Sequence, residues 1–432
     1  MAKLAVIGIG NTGTYTTKAL AQRMEQVAVY DSIKSASEVE QSLGDMPASV
    51  RIASSCQDAV KQADWVIFCV PTDEVARAME NALPHCKPGT IISGQTSRKT
   101  PEAEAFRRFK ASGLEYATLH TMCNPRASDP SKEILGLIRD ESTSDSAFRQ
   151  LMAYCNGLSE HIEIFDSVEE HDFRTANTQI DTSRVFLSIA SSFAKARRFP
   201  WLEGGYNSPL DVMKFALAMR ASNLPAHVYR NVQLGSEHGK RIVSHALEVE
   251  QELFAWIVGG RFPEYRDRVM RARDKILDAG LRPILPADAL NQFGDAGKTR
   301  INSHFSIVQY AVSVAESQRN PFDDLKATTP MYTSLLCLMD SFLRNDALLE
   351  QSLAAPFASP SMREDDLVFH DQIQGWSSAI LFDNVSMYDD LHGNMKKRLE
   401  DSLVQEEVKR STEVVRVCRE GLDEWQQLRR AA

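Results

Sequence analysis

A glycine triplet directly behind a first apolar run, further apolar runs alternating with helical stretches, and long helical periodicities from about Phe165 onward predict the fold class. It is an α/β Rossmann-type N-terminal domain followed by a large all-α C-terminal domain, with the boundary expected between residues 164 and 165.

The elements follow in order. Lys3 to Ile7 is a short apolar run of the buried parallel-strand kind, and Gly8, Gly10 and Gly13 complete a G-x-G-x-x-G turn into a helix expected over Thr14 to Met24. "VAVYD" is a second strand ending in Asp31. In a dinucleotide fingerprint Gly8 permits the tight turn, Gly10 lets the backbone approach a pyrophosphate, and Gly13 lets helix and strand pack closely. Asn11 and Thr12 belong to the same turn, where free N–H groups and the helix dipole favour a diphosphate. The strand before, the helix after and the acid at Asp31 set this triplet apart from a structural Gly-rich turn. Asp31 is suited to the ribose hydroxyls of NAD, so NAD(P)+ is the expected cofactor with NAD favoured, while Lys34 leaves NADP open.

"ADWVIFCVPTDEV" reads as a strand ending at Val70 and Pro71, with Thr72 or Asp73 capping the next helix. "GTIISG" is another strand, followed by Gln95, Thr96 and Ser97 and a helix whose first turn holds Pro101 and Glu102. Because strand carboxyl ends face the ligand crevice in such sheets, residues 71–73, 95–99 and 120–125 are expected to converge, and Val70, Pro71 and Gln95 to line the cofactor. "EYATLHTMCNPR" then acquires meaning. A lone histidine at a strand end is most often an ordinary loop residue. At the end of a strand in a nicotinamide-binding sheet, His120 instead stands where a neutral imidazole can take a proton from an alcohol. "NGLSEHIEIFD" is a possible last strand before the helical half, which by fold analogy supplies a substrate pocket and a dimer interface.

Bulk properties narrow the class. The chain has 432 residues, 43% hydrophobic and 25% charged, as expected of an ordinary globular protein. Its net charge of −9 is spread along the chain, which argues against nucleic acid or an acidic membrane as partner. No apolar run approaches the ~18 residues of a membrane helix. No signal segment precedes the first strand, and seven scattered cysteines read as free thiols, so a cytoplasmic protein is expected. No His, Asp or Glu spacing supports a metal site.

The blocks "GIGNTG", "GQTSRKTPEAEAF", "HTMCNP", "EEHDFRTANTQ", "FLSIASSFAKARRFPW", "NSHFSIVQYAVS", "NPFDDLKATTP" and "GWSSAILF" extend over nearly the whole chain. In these the sequence resembles the fungal-type prephenate dehydrogenases of tyrosine biosynthesis. The resemblance implies a homodimeric enzyme that converts a dicarboxylate, prephenate, and NAD(P)+ into 4-hydroxyphenylpyruvate, CO₂ and NAD(P)H. It also implies that His120 is the catalytic histidine, that Ser97 holds the substrate hydroxyl and the histidine in register, and that Arg220 binds a substrate carboxylate. Gln179 and Ser183 fall in the implied substrate pocket, Ser183 where family members commonly carry a histidine. That replacement, with Asp181 and Arg184 beside it, motivates an alternative substrate, arogenate or 4-amino-4-deoxyprephenate. A catalytically silent NAD-binding homologue is the alternative from another class. Cys123 and Asn124 depart from an aromatic and a glycine in the family block. His171 is expected to cap or orient a helix, and His304 to line the pocket or satisfy a buried turn.

Overall fold

The computed structural model describes residues 2–122, 133–156, 158–197, 199, 206–277, 281–294, 301–317, 320–322 and 325–431. Two compact units divide the chain, Met1–Thr175 and Ala176–Ala432. The helix Val168–Thr175, which the sequence expectation places beyond the boundary, therefore counts with the first unit.

The first unit alternates β1 (Lys3–Ile7), α1 (Asn11–Leu20), β2 (Gln26–Tyr30), α2 (Ala36–Leu43), β3 (Val50–Ile52), α3 (Cys56–Val60), β4 (Trp65–Phe68), α4 (Val75–Ala82), β5 (Ile91–Gly94), α5 (Thr100–Phe109) and β6 (Glu115–Tyr116). The strands form one sheet in the order β3-β2-β1-β4-β5-β6, and every pairing in it is parallel. β1, β4 and β5 are apolar and buried on both faces, as a sheet covered by crossover helices requires. The strand order reverses between β2-β1 and β4, which opens a crevice at the carboxyl ends of β1 and β4. α1 begins at Asn11, earlier than the expected Thr14, because the chain turns helical directly after Gly10.

A second sheet holds β7 (Thr118–Thr121), β8 (Ile134–Ile138) and β9 (His161–Phe165), with β7 antiparallel and β9 parallel to β8. α6 (Asp145–Cys155) lies between β8 and β9 in sequence, and α7 (Val168–Thr175) follows. His120 was expected at the carboxyl end of a strand in the main sheet; it lies instead within β7, opposite Gly136. The reason is a change of sheet at Ala117. Its N–H makes the last bond to β5, to Ile92 O at 3.2 Å, after which the Thr118 hydroxyl takes over, accepting from Gly94 N at 3.0 Å. β7 thus stays tied to the end of β5 while pairing elsewhere.

Among its described residues the second unit holds helices joined by loops and no strand. A π-helical turn at Ala176–Ile180 runs into α8 (Asp181–Ala196), followed by α9 (Pro209–Asn223), α10 (Ala226–Gln233), α11 (Glu237–Val258), α12 (Phe262–Ile276), α13 (Ala287–Asn291), α14 (Phe305–Glu316), α15 (Pro330–Arg344), α16 (Asp346–Ala358), α17 (Pro360–Leu381), α18 (Val385–Arg398) and α19 (Asp401–Ala431). α9 is apolar and buried almost all round, so it forms the centre on which α8 and α19 pack. Trp376 of α17 reaches Ser191 of α8 with its indole N–H at 3.0 Å. Among the described residues no helix is long and apolar enough to cross a membrane.

Candidate active site

The dinucleotide turn is built as its three glycines require. Gly8 has φ +93°, and a Cβ there would lie 2.7 Å from Cys69 O and 2.9 Å from Val70 Cγ1, so the turn presses against the end of β4. At Gly13 a Cβ would meet Gly8 O at 1.9 Å, which no side chain tolerates. Gly10 differs: among the described residues nothing lies within 4 Å of the Cβ it lacks. That open side adjoins the first turn of α1, where Asn11, Thr12 and Gly13 have N–H groups not used within the helix. The residues therefore fit a bound dinucleotide, its diphosphate against Gly10 and the helix start. Val70 and Pro71 follow β4 at the same end of the sheet.

Asp31 is committed to the loop itself. Its Oδ2 accepts from Ile9 N at 2.7 Å, and its Oδ1 from Ile33 N at 2.9 Å and Lys34 N at 3.0 Å. Burial pushes its pKa up, but these three bonds and the Lys34 charge outweigh it and hold the carboxyl below its ordinary value. The Lys34 ammonium bonds Ile9 O at 2.7 Å and Ser42 Oγ at 2.9 Å. The acid thus braces the glycine turn against the end of β2, and most of its acceptor capacity is already used.

His120, 5% exposed, is part of a chain of polar groups. Its Nδ1 lies 2.9 Å from Nε2 of His171, whose Nδ1 lies 2.9 Å from Asp172 Oδ1. Asp172 also accepts from Lys99 N at 2.7 Å, Thr100 N at 2.8 Å and the Thr100 hydroxyl at 2.7 Å, at the start of α5. Burial first, then the neighbouring His171 and Lys99, holds His120 well below the ordinary histidine pKa. Burial also lowers His171, though its bond to Asp172 works against this. Both rings are neutral near pH 7. His171 is thus tied to His120 as well as placed on its own helix, and Asp172, which the sequence reading passed over, joins the same chain. The signal was present in "EEHD", a histidine followed at once by an acid.

Beneath this chain lies a fully buried ion pair. Lys99 Nζ is 3.0 Å from Glu102 Oε2 and 2.7 Å from Gly94 O, while Glu102 accepts from Thr96 at 2.5 Å, Tyr116 at 3.0 Å and Thr118. Ser97 sits half-buried in the bend between β5 and α5 that this pair supports. Gln95 Oε1 accepts from the N–H and hydroxyl of Thr121, each at 3.0 Å, which brings the end of β5 beside the histidine strand. The first unit thus gathers His120 with residues 95–102; Cys123 and Asn124 lie outside the described residues.

In the second unit Arg220 is half-buried near the end of α9, with Nη1 3.3 Å from Ser411 Oγ. Among the described residues it has no carboxylate partner. Burial lowers its pKa, and burial raises that of the neighbouring Tyr229 to about 12. Ser183 is 3% exposed and self-satisfied: its hydroxyl donates to Gln179 O at 2.6 Å and accepts from Gln233 Nε2 at 3.0 Å. Gln233 in turn accepts from the Tyr388 hydroxyl at 2.5 Å. Gln179 lies in the π-turn, a distortion that often marks functional sites, and its buried Nε2 has no hydrogen bond among the described residues. Asp181 and Arg184 are buried and paired with one another at 2.7 Å. His304, left-handed at φ 49° and 1% exposed, satisfies a buried turn; burial and Lys214 lower its pKa to about 3.

Residues 181–420 match the model of the TYR1-like, 6-phosphogluconate dehydrogenase C-terminal domain, more than half of the chain. The chain belongs to that family. Residues 3–118 match the NAD binding domain of 6-phosphogluconate dehydrogenase. The chain is similar to prephenate dehydrogenase (NADP+) of Saccharomyces cerevisiae, 25% identical over 355 residues, 79% of this chain and 78% of that protein. It is similar also to a probable prephenate dehydrogenase (NADP+) of Schizosaccharomyces pombe, 22% identical over 395 residues, 89% of this chain and 90% of the relative. Among solved structures, prephenate dehydrogenase from A. aeolicus is 14% identical with a TM-score of 0.48, covering 61% of this chain and 93% of that one.

Proposed function

We propose that this chain is an NAD(P)-dependent dehydrogenase that oxidatively decarboxylates prephenate to 4-hydroxyphenylpyruvate and CO₂. The observation that carries the reading is His120, a buried, neutral imidazole whose Nδ1 is engaged by His171, leaving Nε2 to meet a substrate hydroxyl. The names of the two fungal relatives support the choice of substrate.

When bound, the nicotinamide supplies the hydride acceptor. Gly8, Gly10, Asn11, Thr12 and Gly13 would hold the dinucleotide, with Val70, Pro71 and Gln95 at the neighbouring strand ends. His120 Nε2 takes the ring hydroxyl proton as hydride leaves that carbon, so a carbonyl replaces the carbinol. Loss of the ring carboxylate as CO₂ then sends its electron pair into the ring. This generates an aromatic phenolate, and the proton held by His120 returns to its oxygen. Ser97 is assigned to the same hydroxyl. Arg220, a guanidinium without a described counter-ion, is assigned to a substrate carboxylate, which its planar fork suits.

For the cofactor, the bonds that occupy Asp31 leave it little to offer a ribose diol, and Lys34 stands beside it. The engagement of Asp31 weakens the expected preference for NAD, and NADP is the cofactor in the names of both relatives. The reading includes a cytoplasmic location and a homodimer, the dimer supported by apolar side chains left exposed at Leu367, Phe382 and Val385 and testable by light scattering.

The deciding experiment compares initial rates of reduced-cofactor formation with prephenate, arogenate and 4-amino-4-deoxyprephenate, each against NAD+ and NADP+, in wild type and His120→Ala. Prephenate turnover that depends on His120 is expected, faster with NADP+. Turnover of an amino analogue alone, or of none, would overturn the assignment.

A further inference from the structure

We propose that Asp172 and His171 form a fixed orienting chain that holds His120 as its Nδ1–H tautomer and so presents a bare Nε2 to the substrate. The inference rests on the reading of His120 as the base. It follows from hydrogen-bond roles taken in order, starting at the group that has no choice.

Asp172 is that group. Four donors converge on its two oxygens: Lys99 N, Thr100 N, the Thr100 hydroxyl and His171 Nδ1. Burial raises its pKa, but those bonds lower it further, and the start of α5 favours negative charge. An ionised carboxylate only accepts, so His171 Nδ1 carries a proton. A neutral His171 with hydrogen on Nδ1 has a bare Nε2. Across 2.9 Å two bare ring nitrogens would repel, so the proton between the rings belongs to His120 Nδ1. The Thr175 hydroxyl, 3.4 Å from the same His171 Nε2, is a second possible donor to it and cannot reverse the order. His120 Nε2 is therefore the acceptor.

The chain also prepares the charged state. When His120 takes a proton at Nε2, its Nδ1–H bond to His171 becomes charge-assisted, with Asp172 behind it. The opposing influence is Lys99, whose buried ammonium disfavours protonation of both rings and is itself countered by Glu102. His171 and Asp172 touch no reacting atom in this scheme and are positioning residues. Their neighbourhood in sequence gives the chain its rigidity, since both side chains leave α7, 0% exposed at His171.

The test uses the full-length protein in two arms. In the first, ring nitrogens are read by NMR with 15N-labelled histidine, without cofactor or substrate, and His120 signals are assigned by their loss in His120→Ala. The expected result is a protonated Nδ1 and a bare Nε2 on His120, and a protonated Nδ1 on His171. In the second, kcat, KM and their pH profiles are measured for His171→Leu, which removes the acceptor, and His171→Gln, whose Oε1 can replace it. His171→Leu is expected to lose about 10²–10³-fold in kcat with KM for prephenate within about twofold, and His171→Gln to recover most of the loss. If His171→Leu does not fold, the NMR arm and His171→Gln decide. A His120 protonated on Nε2, or a folded His171→Leu with unchanged kcat and pH profile, overturns the orienting chain. Undiminished turnover by His120→Ala would overturn the base assignment instead, and would leave the tautomer result to judge the chain by itself.

Discussion

At the scale of single residues, the three glycines of the first turn separate folding from binding. Gly13→Ala would set a methyl 1.9 Å from Gly8 O, a backbone atom that cannot swing aside. Gly10→Ala meets nothing within 4 Å, yet its methyl would project into the space assigned to the diphosphate. Expected, then, are a Gly13→Ala protein that unfolds at markedly lower temperature or fails to accumulate, and a Gly10→Ala protein that melts with wild type. The latter should bind NADP+ at least about tenfold more weakly, as expected where close backbone approach is lost. Thermal melts and cofactor titration by fluorescence check both. Equal melting losses in the two variants, or unimpaired cofactor binding by Gly10→Ala, would remove the cradle assignment. These roles were legible in the sequence because G-x-G-x-x-G encodes backbone sterics that local spacing expresses. The engagement of Asp31 was not legible, since its donors are backbone N–H groups that only the folded loop brings around it.

At the scale of elements, the block "GQTSRKTPE" is organised by a pair that the sequence reading left unexplained. Lys99 and Glu102, both 0% exposed, lock β5 to α5, and Gly94 leaves the room, because a Cβ there would lie 2.2 Å from Glu102 Oε2. Removing one charge strands the other in a dry site. Lys99→Met and Glu102→Leu should each destabilise the first unit by about 3–5 kcal/mol, and the double variant by less than the sum of the two. Urea unfolding of the three variants measures this; strict additivity would deny the coupling. β1, β2, β4 and β5 could be recognised beforehand from their buried apolar runs. The passage from β6 to β7 could not. It depends on the Thr118 hydroxyl replacing a backbone bond to Gly94, a long-range choice that leaves no periodicity in "EYATLH". The helical half was legible as a class from its 3.6-residue periodicity. The pairing of Asp181 with Arg184 was not, because adjacency in sequence does not tell whether two charges face solvent or each other.

At the scale of the whole molecule, buried titratable groups are divided unequally between the two units, and this gives them different responses to acid. In the first unit His120 and His171 both have folded pKa values held down, chiefly by burial. Between those values and the ordinary 6.5, the unfolded chain binds protons that the folded unit does not. Stability is therefore lost as pH falls below about 6.5, by about 1.4 kcal/mol per pH unit for each group. In the second unit His304 and His392 act in the same direction. Against them stand Asp366, raised to about 7 by burial, and Asp340 and Glu407, also raised by burial. Those acids bind protons in the folded state before the unfolded chain does, Asp366 from about pH 7 downward, so the destabilisation they carry when ionised is relieved as pH falls and returns as pH rises. The opposing sets make the second unit lose less than the first over the interval in which the first weakens. Hydrogen exchange followed by mass spectrometry between pH 7.5 and 5.5, corrected for intrinsic exchange, reads the units separately. Protection in β1, β4 and β5 should decline with acidification, while α9 and α15 lose less of theirs. A second unit that opens first, or two units that weaken in parallel, would mean that the buried acids of the helical half do not offset its histidines.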